Sequence, residues 1–479
     1  MEYFESQTLA LKRIEEIHEK RNETSVPNKF EVDEIFLEFQ EKAEKEELAI
    51  FKVLTNMRDK VVKSIKNGTP PPTHDDLINI VSNKYILISA YKATRKNKGS
   101  MTRAYPIPEK QFQRYSPDLQ DIIVKLFKLP DGLDWEILHQ ISELVRSGNY
   151  PWGCSRLIFI PKPGTKKLRP LTIPPYADKI VQEAIRMVLE AIYEPIFQSL
   201  NCSFGFRAGV GVHEAISMVG ERRLTNGLNK AIEGDIDAAY PTLDRKIMVK
   251  ILSERIKDSK FLKLVKIKKL YNTTTEKYES TFLGIPQGGI DSPYLWNIYL
   301  LGFKGRRPIL KDIKNLLKEE NINRRMSRGY GKQGKILKNP PINPLYNKVD
   351  KQIIAYKSDM NRRKLPITQV RQILRNIKYF KHLKRKINYY DPNRKMLRML
   401  YVRYADDWII LTNAPRQINE KIKAMISSWL LKNRGLKLSD DKTFITDISK
   451  DPAHFLGYQI ENKSTRMVGS QLCWLKTIN

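Results

Sequence analysis

The stretch Met399-Leu400-Tyr401-Val402-Arg403-Tyr404-Ala405-Asp406-Asp407-Trp408-Ile409-Ile410-Leu411-Thr412 decides the fold. Met399 to Val402 and Trp408 to Thr412 are rich in β-branched, aromatic and aliphatic residues and read as two strands. Only a tight turn fits between them, so adjacent carboxylates sit at a hairpin tip. Asp suits that place because it tolerates turn backbone. Two neighbouring carboxylates repel each other, and a cation relieves the repulsion. Mg²⁺ is the natural occupant, a hard ion that takes oxygen ligands and shares them with phosphates. Taken alone, the tetrad Tyr404 to Asp407 also reads as an ordinary acidic turn.

Three further segments extend the pattern. In Glu233-Gly234-Asp235-Ile236-Asp237-Ala238-Ala239-Tyr240, a β-run beginning at Ala231 ends at an Asp and bends into a helix-like stretch. If Asp235 faces Asp406, the pair can hold two metal ions. One lowers the pKa of an attacking 3′-hydroxyl and the other stabilises leaving pyrophosphate. The plainer alternative is that Asp235 caps the following helix. In Gly284-Ile285-Pro286-Gln287-Gly288-Gly289-Ile290-Asp291-Ser292-Pro293, Gly and Pro fix a turn before a helix from Tyr294 to Leu300. Gln287 offers a donor and an acceptor to a nucleotide or a template sugar. Ile160 to Leu171 reads as a basic hairpin between two β-runs. Its Lys162 and Arg169 are suited to clamp a triphosphate, or else form a solvated basic turn.

The chain has 479 residues, 41% of them apolar, enough for two or three domains. Lys and Arg number 85 against 53 Asp and Glu, a formal charge of +32. Nucleic acid is the partner this implies, because each contacted phosphate releases counterions. No stretch of about 18 apolar residues is present to span a bilayer, so no membrane partner is expected. Cys154, Cys202 and Cys473 are odd in number and far apart, which argues against a disulfide framework or zinc site and fits a reducing compartment. The acidic start, Met1-Glu2-Tyr3-Phe4-Glu5, resembles neither a signal peptide nor a transit peptide. An organelle-encoded protein of a mitochondrion or plastid fits this, with the bacterial cytoplasm as the alternative.

Texture changes along the chain. Residues 1–68 are charged and helical in pattern, and Thr69-Pro70-Pro71-Pro72-Thr73 ends that pattern. Short β-runs alternate with helices such as Asp178 to Tyr193 between 154 and 300, an α+β or α/β texture. Residues 301–400 hold 28 Lys or Arg against 6 Asp or Glu, so +22 of the total charge lies in this block. Tyr330, Tyr346, Tyr356, Tyr379, Phe380, Tyr389 and Tyr390 are interleaved with it. It reads as a backbone-binding surface with rings for base stacking, or as a solvated, partly disordered insertion. Strand texture returns after 400, with a helix from Gln417 to Leu431 and short strands near Thr443 and Phe455.

In this order the segments resemble the reverse transcriptases encoded by group II introns. The likeness runs from about Lys92 to Tyr458 and includes Lys96 to Ser100, Ile160 to Pro174, Asp178 to Ala184 and Ser203-Phe204-Gly205-Phe206-Arg207. It continues through Asp235 to Leu243, Pro286 to Gly289, Tyr404 to Asp407, Lys442-Thr443 and Phe455-Leu456-Gly457-Tyr458. The resemblance implies an α+β right-hand fold with an antiparallel palm sheet. Residues 1–75 would be a helical extension, 76–230 fingers, 231–300 and 399–479 the two parts of a palm, and 301–398 a basic insertion. The family's thumb, or X domain, and its endonuclease region are expected after Tyr458 and are not recognised there. The implied metal ligands are Asp235, Asp406, Asp407 and the carbonyl of Ile236, holding two Mg²⁺ ions with Mn²⁺ as a substitute. Tyr240 falls at the ring position that screens the sugar and favours deoxynucleotides. Lys162, Arg169, Gln287 and Lys442 would contact the incoming dNTP. The implied partners are an RNA template, the parent intron RNA and a DNA primer or target. The oligomeric state is left open. An RNA-binding splicing cofactor without effective polymerisation is the alternative reading.

Overall fold

The computed structural model describes residues 29–95, 107, 109–128, 135–161, 168–266, 269–272, 277–279, 284–303, 309–326, 342–362, 366–387, 397–461 and 475–477. Lys96 to Ser100, Lys162 and Cys473 therefore lie outside the described residues. Helix α1 (Lys29–Lys66) stops just before the three prolines at 70–72, which cannot donate helical N–H bonds. Helices α2 (Leu77–Val81), α3 (Lys84–Thr94), α4 (Glu109–Phe112), α5 (Pro117–Lys128) and α6 (Trp135–Ser147) follow. The Asn83 side chain caps α3 by accepting from the Tyr85 N–H at 2.9 Å.

Strands β1 (Cys154–Pro161) and β2 (Leu168–Ile173) form the basic hairpin, antiparallel with Ile160 opposite Arg169. The central helix is α7 (Tyr176–Leu200). Nearly every residue from Tyr176 to Phe197 is buried, the pattern of a helix enclosed on all sides. After α8 (Val212–Asn226) come β3 (Lys230–Gly234), α9 (Ala239–Thr242), α10 (Arg245–Ser253), α11 (Ser259–Lys266), β4 (Lys269–Asn272), β5 (Lys277–Glu279) and α12 (Ser292–Tyr299). The basic block contributes α13 (Ile309–Met326), α14 (Pro344–Arg362) and α15 (Ile367–Lys386). The chain then forms β6 (Met399–Tyr404), β7 (Asp407–Thr412), α16 (Arg416–Arg434), β8 (Phe444–Asp447), β9 (Ala453–Phe455), β10 (Tyr458–Ile460) and β11 (Leu475–Thr477).

The class is α+β. One four-stranded sheet, ordered β6-β7-β3-β8, is antiparallel throughout. A second, β2-β1-β4-β5, pairs β1 with β4 in parallel. β7 is buried from Trp408 to Thr412 because both faces of its sheet are covered. Trp408 and Ile410 point into the main core, while Ile409 and Leu411 point into a second cluster with Val402 and Ala231. That split follows the two-residue period of a strand.

The basic block is helical where it is described, and it divides in two. Ile309, Leu310, Ile313 and Leu317 of α13 belong to the main core. Helices α14 and α15 instead share a small core of their own, Val349, Ile353 and Ile377. Cys154 and Cys202 are buried. No helix among the described residues is long and apolar enough to cross a membrane.

Candidate functional site

The β6–β7 turn is as tight as its sequence implies. Tyr404 pairs with Asp407, and Ala405 takes a left-handed backbone at φ 55°. β3 lies antiparallel beside β7 with Gly234 opposite Trp408. One step past that pair, Asp235 leaves β3 at the end of the sheet where Asp407 begins β7. Gly234 is required there for space. A Cβ at 234 would lie 2.0 Å from Cζ2 of the Trp408 indole.

The three carboxylates share one electrostatic field. Burial raises the pKa of Asp406 above the usual Asp value, and the charge of Asp235 adds to the rise. Arg169 and Lys442 oppose it. Asp407 is pushed up to about 6, by burial first and then by Asp406 and Asp235. Water reaches the Asp407 side chain, yet the surrounding protein and two like charges still disfavour its ionised form.

Asp235 does not cap α9. The cap position is Ala238, at φ 43° and without a side-chain bond. The Asp235 carboxylate instead accepts from the Lys442 ammonium at 2.5 Å. That hydrogen bond is the main reason the Lys442 pKa rises. The backbone holds the two together. Ser439 N–H donates to the Asp235 carbonyl, and Asp237 N–H to the Lys437 carbonyl, both at 3.0 Å. Ile236 bridges to Leu438 between those bonds. Among the described residues, no three His, Cys, Asp or Glu side chains form a ready-made metal cluster. The cation beside Asp235 is the Lys442 ammonium. The donor set is nonetheless all hard oxygen and carries excess negative charge, which fits a hard divalent ion.

Tyr240 stacks on Trp296, with ring centroids 5.5 Å apart and planes 21° apart. Burial raises its pKa, and the charge of Asp406 raises it further, so the phenol borders the carboxylates. The Tyr240 carbonyl accepts from Ile285 N–H at 3.0 Å, which ties the 284–290 loop to the site. The other side of that loop lies on β2. Thr172 N–H donates to the Gln287 carbonyl at 2.6 Å. Gly288, at φ 119°, leaves room for this contact, since a Cβ there would lie 2.2 Å from the Thr172 carbonyl oxygen. Gln287 is thus held between β2 and Tyr240. Arg169, on β2, is exposed and acts on both Asp406 and Tyr240. The structure therefore gathers Asp235, Ile236, Tyr240, Gln287, Asp406, Asp407, Lys442 and Arg169, and leaves Lys162 undescribed.

A buried network behind the turn was not legible in the sequence. Arg403 donates from Nη1 to Asn297 Oδ1 and to the Ala405 carbonyl, both at 3.1 Å. Its Nη2 donates to Ser203 Oγ at 2.7 Å. Asn297 donates in turn to the Gly205 carbonyl at 2.7 Å. Phe204 N–H donates to the Arg403 carbonyl at 2.9 Å, so the 202–205 segment clasps β6. Arg403 lies 106 residues from Asn297 in sequence, and no local pattern connects them.

Residues 160–308 and 372–460 match the family described as reverse transcriptase (RNA-dependent DNA polymerase). The chain belongs to the reverse transcriptase family. Three relatives refine the placement. Group II intron-encoded protein LtrA of Lactococcus lactis subsp. cremoris is 31% identical over 331 residues, covering 69% of this chain and 50% of that protein. An uncharacterized 91 kDa protein in the cob intron of Schizosaccharomyces pombe is 31% identical over 385 residues, covering 79% of this chain and 40% of that protein. The uncharacterized mitochondrial protein ymf11 of Marchantia polymorpha is 27% identical over 300 residues, covering 60% of this chain and 35% of that protein. The chain is thus similar to proteins named for introns, and it spans half the length or less of these three relatives.

Proposed function

We propose that the chain is an RNA-directed DNA polymerase of group II intron type that also binds intron RNA for splicing or mobility. The convergence of Asp235, Asp406 and Asp407 at one end of the β6-β7-β3-β8 sheet carries this reading. A pure RNA binder has no use for three carboxylates that repel its ligand. Asp235, Asp406, Asp407 and the Ile236 carbonyl would hold two Mg²⁺ ions, with Mn²⁺ as a substitute. Those ions would activate a primer 3′-hydroxyl and neutralise the leaving pyrophosphate. Tyr240, braced by Trp296, would press on the deoxyribose and exclude a 2′-hydroxyl. Arg169, Lys162 and Lys442 would bind the triphosphate, and Gln287 the nucleotide or template sugar. On this reading residues 76–230 act as fingers, and 231–300 with 399–479 as palm. The name of the Marchantia polymorpha relative supports a mitochondrial setting, and the Lactococcus lactis relative a bacterial one.

Primer extension on an RNA template with Mg²⁺ and dNTPs tests the proposal. Asp406→Ala is expected to lose at least about 100-fold in rate, as when one transition-state contact is removed. Equal incorporation by parent and variant refutes it. A second reading, a splicing cofactor without effective polymerisation, draws on the basic α14–α15 pair. It predicts intron RNA binding that is unchanged in Asp406→Ala and a parent that does not extend primers.

A further inference from the structure

We propose that the outward face of α15 is a binding surface for RNA backbone, separate from the carboxylate site. The proposal rests on the RNA-directed reading above and adds where the RNA is gripped. The apolar side of α15, Ile373, Ile377, Phe380 and Leu383, packs within the small core shared with Val349, Ile353 and Tyr356 of α14. Helical spacing then places Arg371, Arg375, Lys378, His382 and Lys386 together on the opposite side. All five are exposed. At 1.5 Å per residue this stripe runs about 22 Å.

The whole helix carries seven Lys or Arg and no Asp or Glu. Among the described residues only Lys384 of the seven forms an ion pair, with Asp350. Lys384 lies 4.7 Å from the Tyr346 ring centroid, on the α14 side. The four cations of the outer stripe, Arg371, Arg375, Lys378 and Lys386, thus form an array of like charges with no ion-pair partner among the described residues, a counter-charge that a polyanion supplies. Arg forks suit phosphate oxygens. Tyr379, 63% exposed, borders the stripe, and its edge-on packing against Phe380 leaves ring surface for a base. An anionic membrane fits less well. A helix that lies in a bilayer interface turns a continuous apolar face outward, and the apolar face of α15 is spent on α14. Ile367 and Leu374, also exposed, are isolated on the flank.

The test uses the full chain with Arg371, Arg375, Lys378 and Lys386 all changed to Gln. Binding of a single-stranded RNA oligonucleotide is followed by fluorescence anisotropy across a salt series. Four lost phosphate contacts should reduce the slope of log K against log[salt] by about 3. Tyr379→Ala should weaken binding roughly 5- to 100-fold. Changing Arg371 and Arg375 to Lys should keep the slope. Asp406→Ala should keep the parental slope while losing primer extension, so failure of the polymerase reading is scored separately. An unchanged slope in the quadruple Gln variant overturns the proposal. So does loss of binding to phosphatidylserine-containing vesicles with RNA binding intact.

Discussion

Gly234→Ala puts the tightest contact beside the carboxylates under strain. The new methyl would sit 2.0, 2.1 and 2.4 Å from three ring carbons of Trp408. Carbon atoms pack at about 3.5–4.0 Å, so the indole or β3 must yield by about 1.5 Å. Trp408 is 1% exposed and lies against Tyr401, and close-packed interiors seldom leave room for such a shift. Overpacking of this kind costs about 1–3 kcal/mol when neighbours adjust, and here the obstacle is a rigid ring, so about 3 kcal/mol is expected. Asp235 and Asp407 are the next residues along from this pair, so the displacement reaches both. A shift of about 1 Å at reacting groups lowers rate by about 100-fold. The decisive assay is a double-mutant cycle by urea denaturation with Trp408→Leu, which removes the ring. Alone, Trp408→Leu is destabilising through its cavity. In its background Gly234→Ala should cost under about 1 kcal/mol, a coupling of about 2 kcal/mol. Equal cost in both backgrounds would refute the steric argument and leave only a change in backbone propensity.

Two other outcomes follow from single contacts. Arg403→Lys keeps the charge but not the fork that reaches Ala405, Asn297 and Ser203 together. Its kcat in primer extension should fall about 10- to 100-fold with little change in KM for primer-template, and parental kcat would remove the network from any positioning role. His74 is held neutral, by burial first and then by Lys60 and Arg255, so its folded pKa lies below 6.5. The unfolded chain then binds the extra proton, and stability should decline as pH falls through 6.5, by at most about 1.4 kcal/mol per unit. His74→Gln should flatten that decline in urea midpoints measured between pH 7.5 and 5.5. An unaltered profile would mean that other groups cause it.

Much of the site was legible because local chemistry expresses it. The β-rich runs on either side of Tyr404 to Asp407 imply a hairpin with acids at its tip, and β6 and β7 form that hairpin. The Gly and Pro run at 284–293 implies a fixed turn before a helix, and α12 begins at Ser292. The basic hairpin at 160–171 corresponds to β1 and β2. Other features had no local signature. Asp235 could have been a helix cap, and only the pairing of β3 with β7 and the reach of Lys442 show that it is not. The charge of residues 301–400 did not show that α13 enters the main core while α14 and α15 pack on each other.

By itself, then, the sequence marked out the candidate groups: the acids of the tetrad, Asp235, the Gln287 loop and the excess of positive charge. Residue type and near-neighbour spacing are enough for that, because turns, strands and charge density depend on a few adjacent residues. Only the tertiary structure decided how those groups meet. It laid Gly234 under Trp408, Tyr240 against Trp296, and Arg403 against Asn297. These contacts join residues 56 to 174 positions apart. Such pairs are selected by close packing and by the need to satisfy buried polar groups, and those demands arise only once the chain has closed on itself.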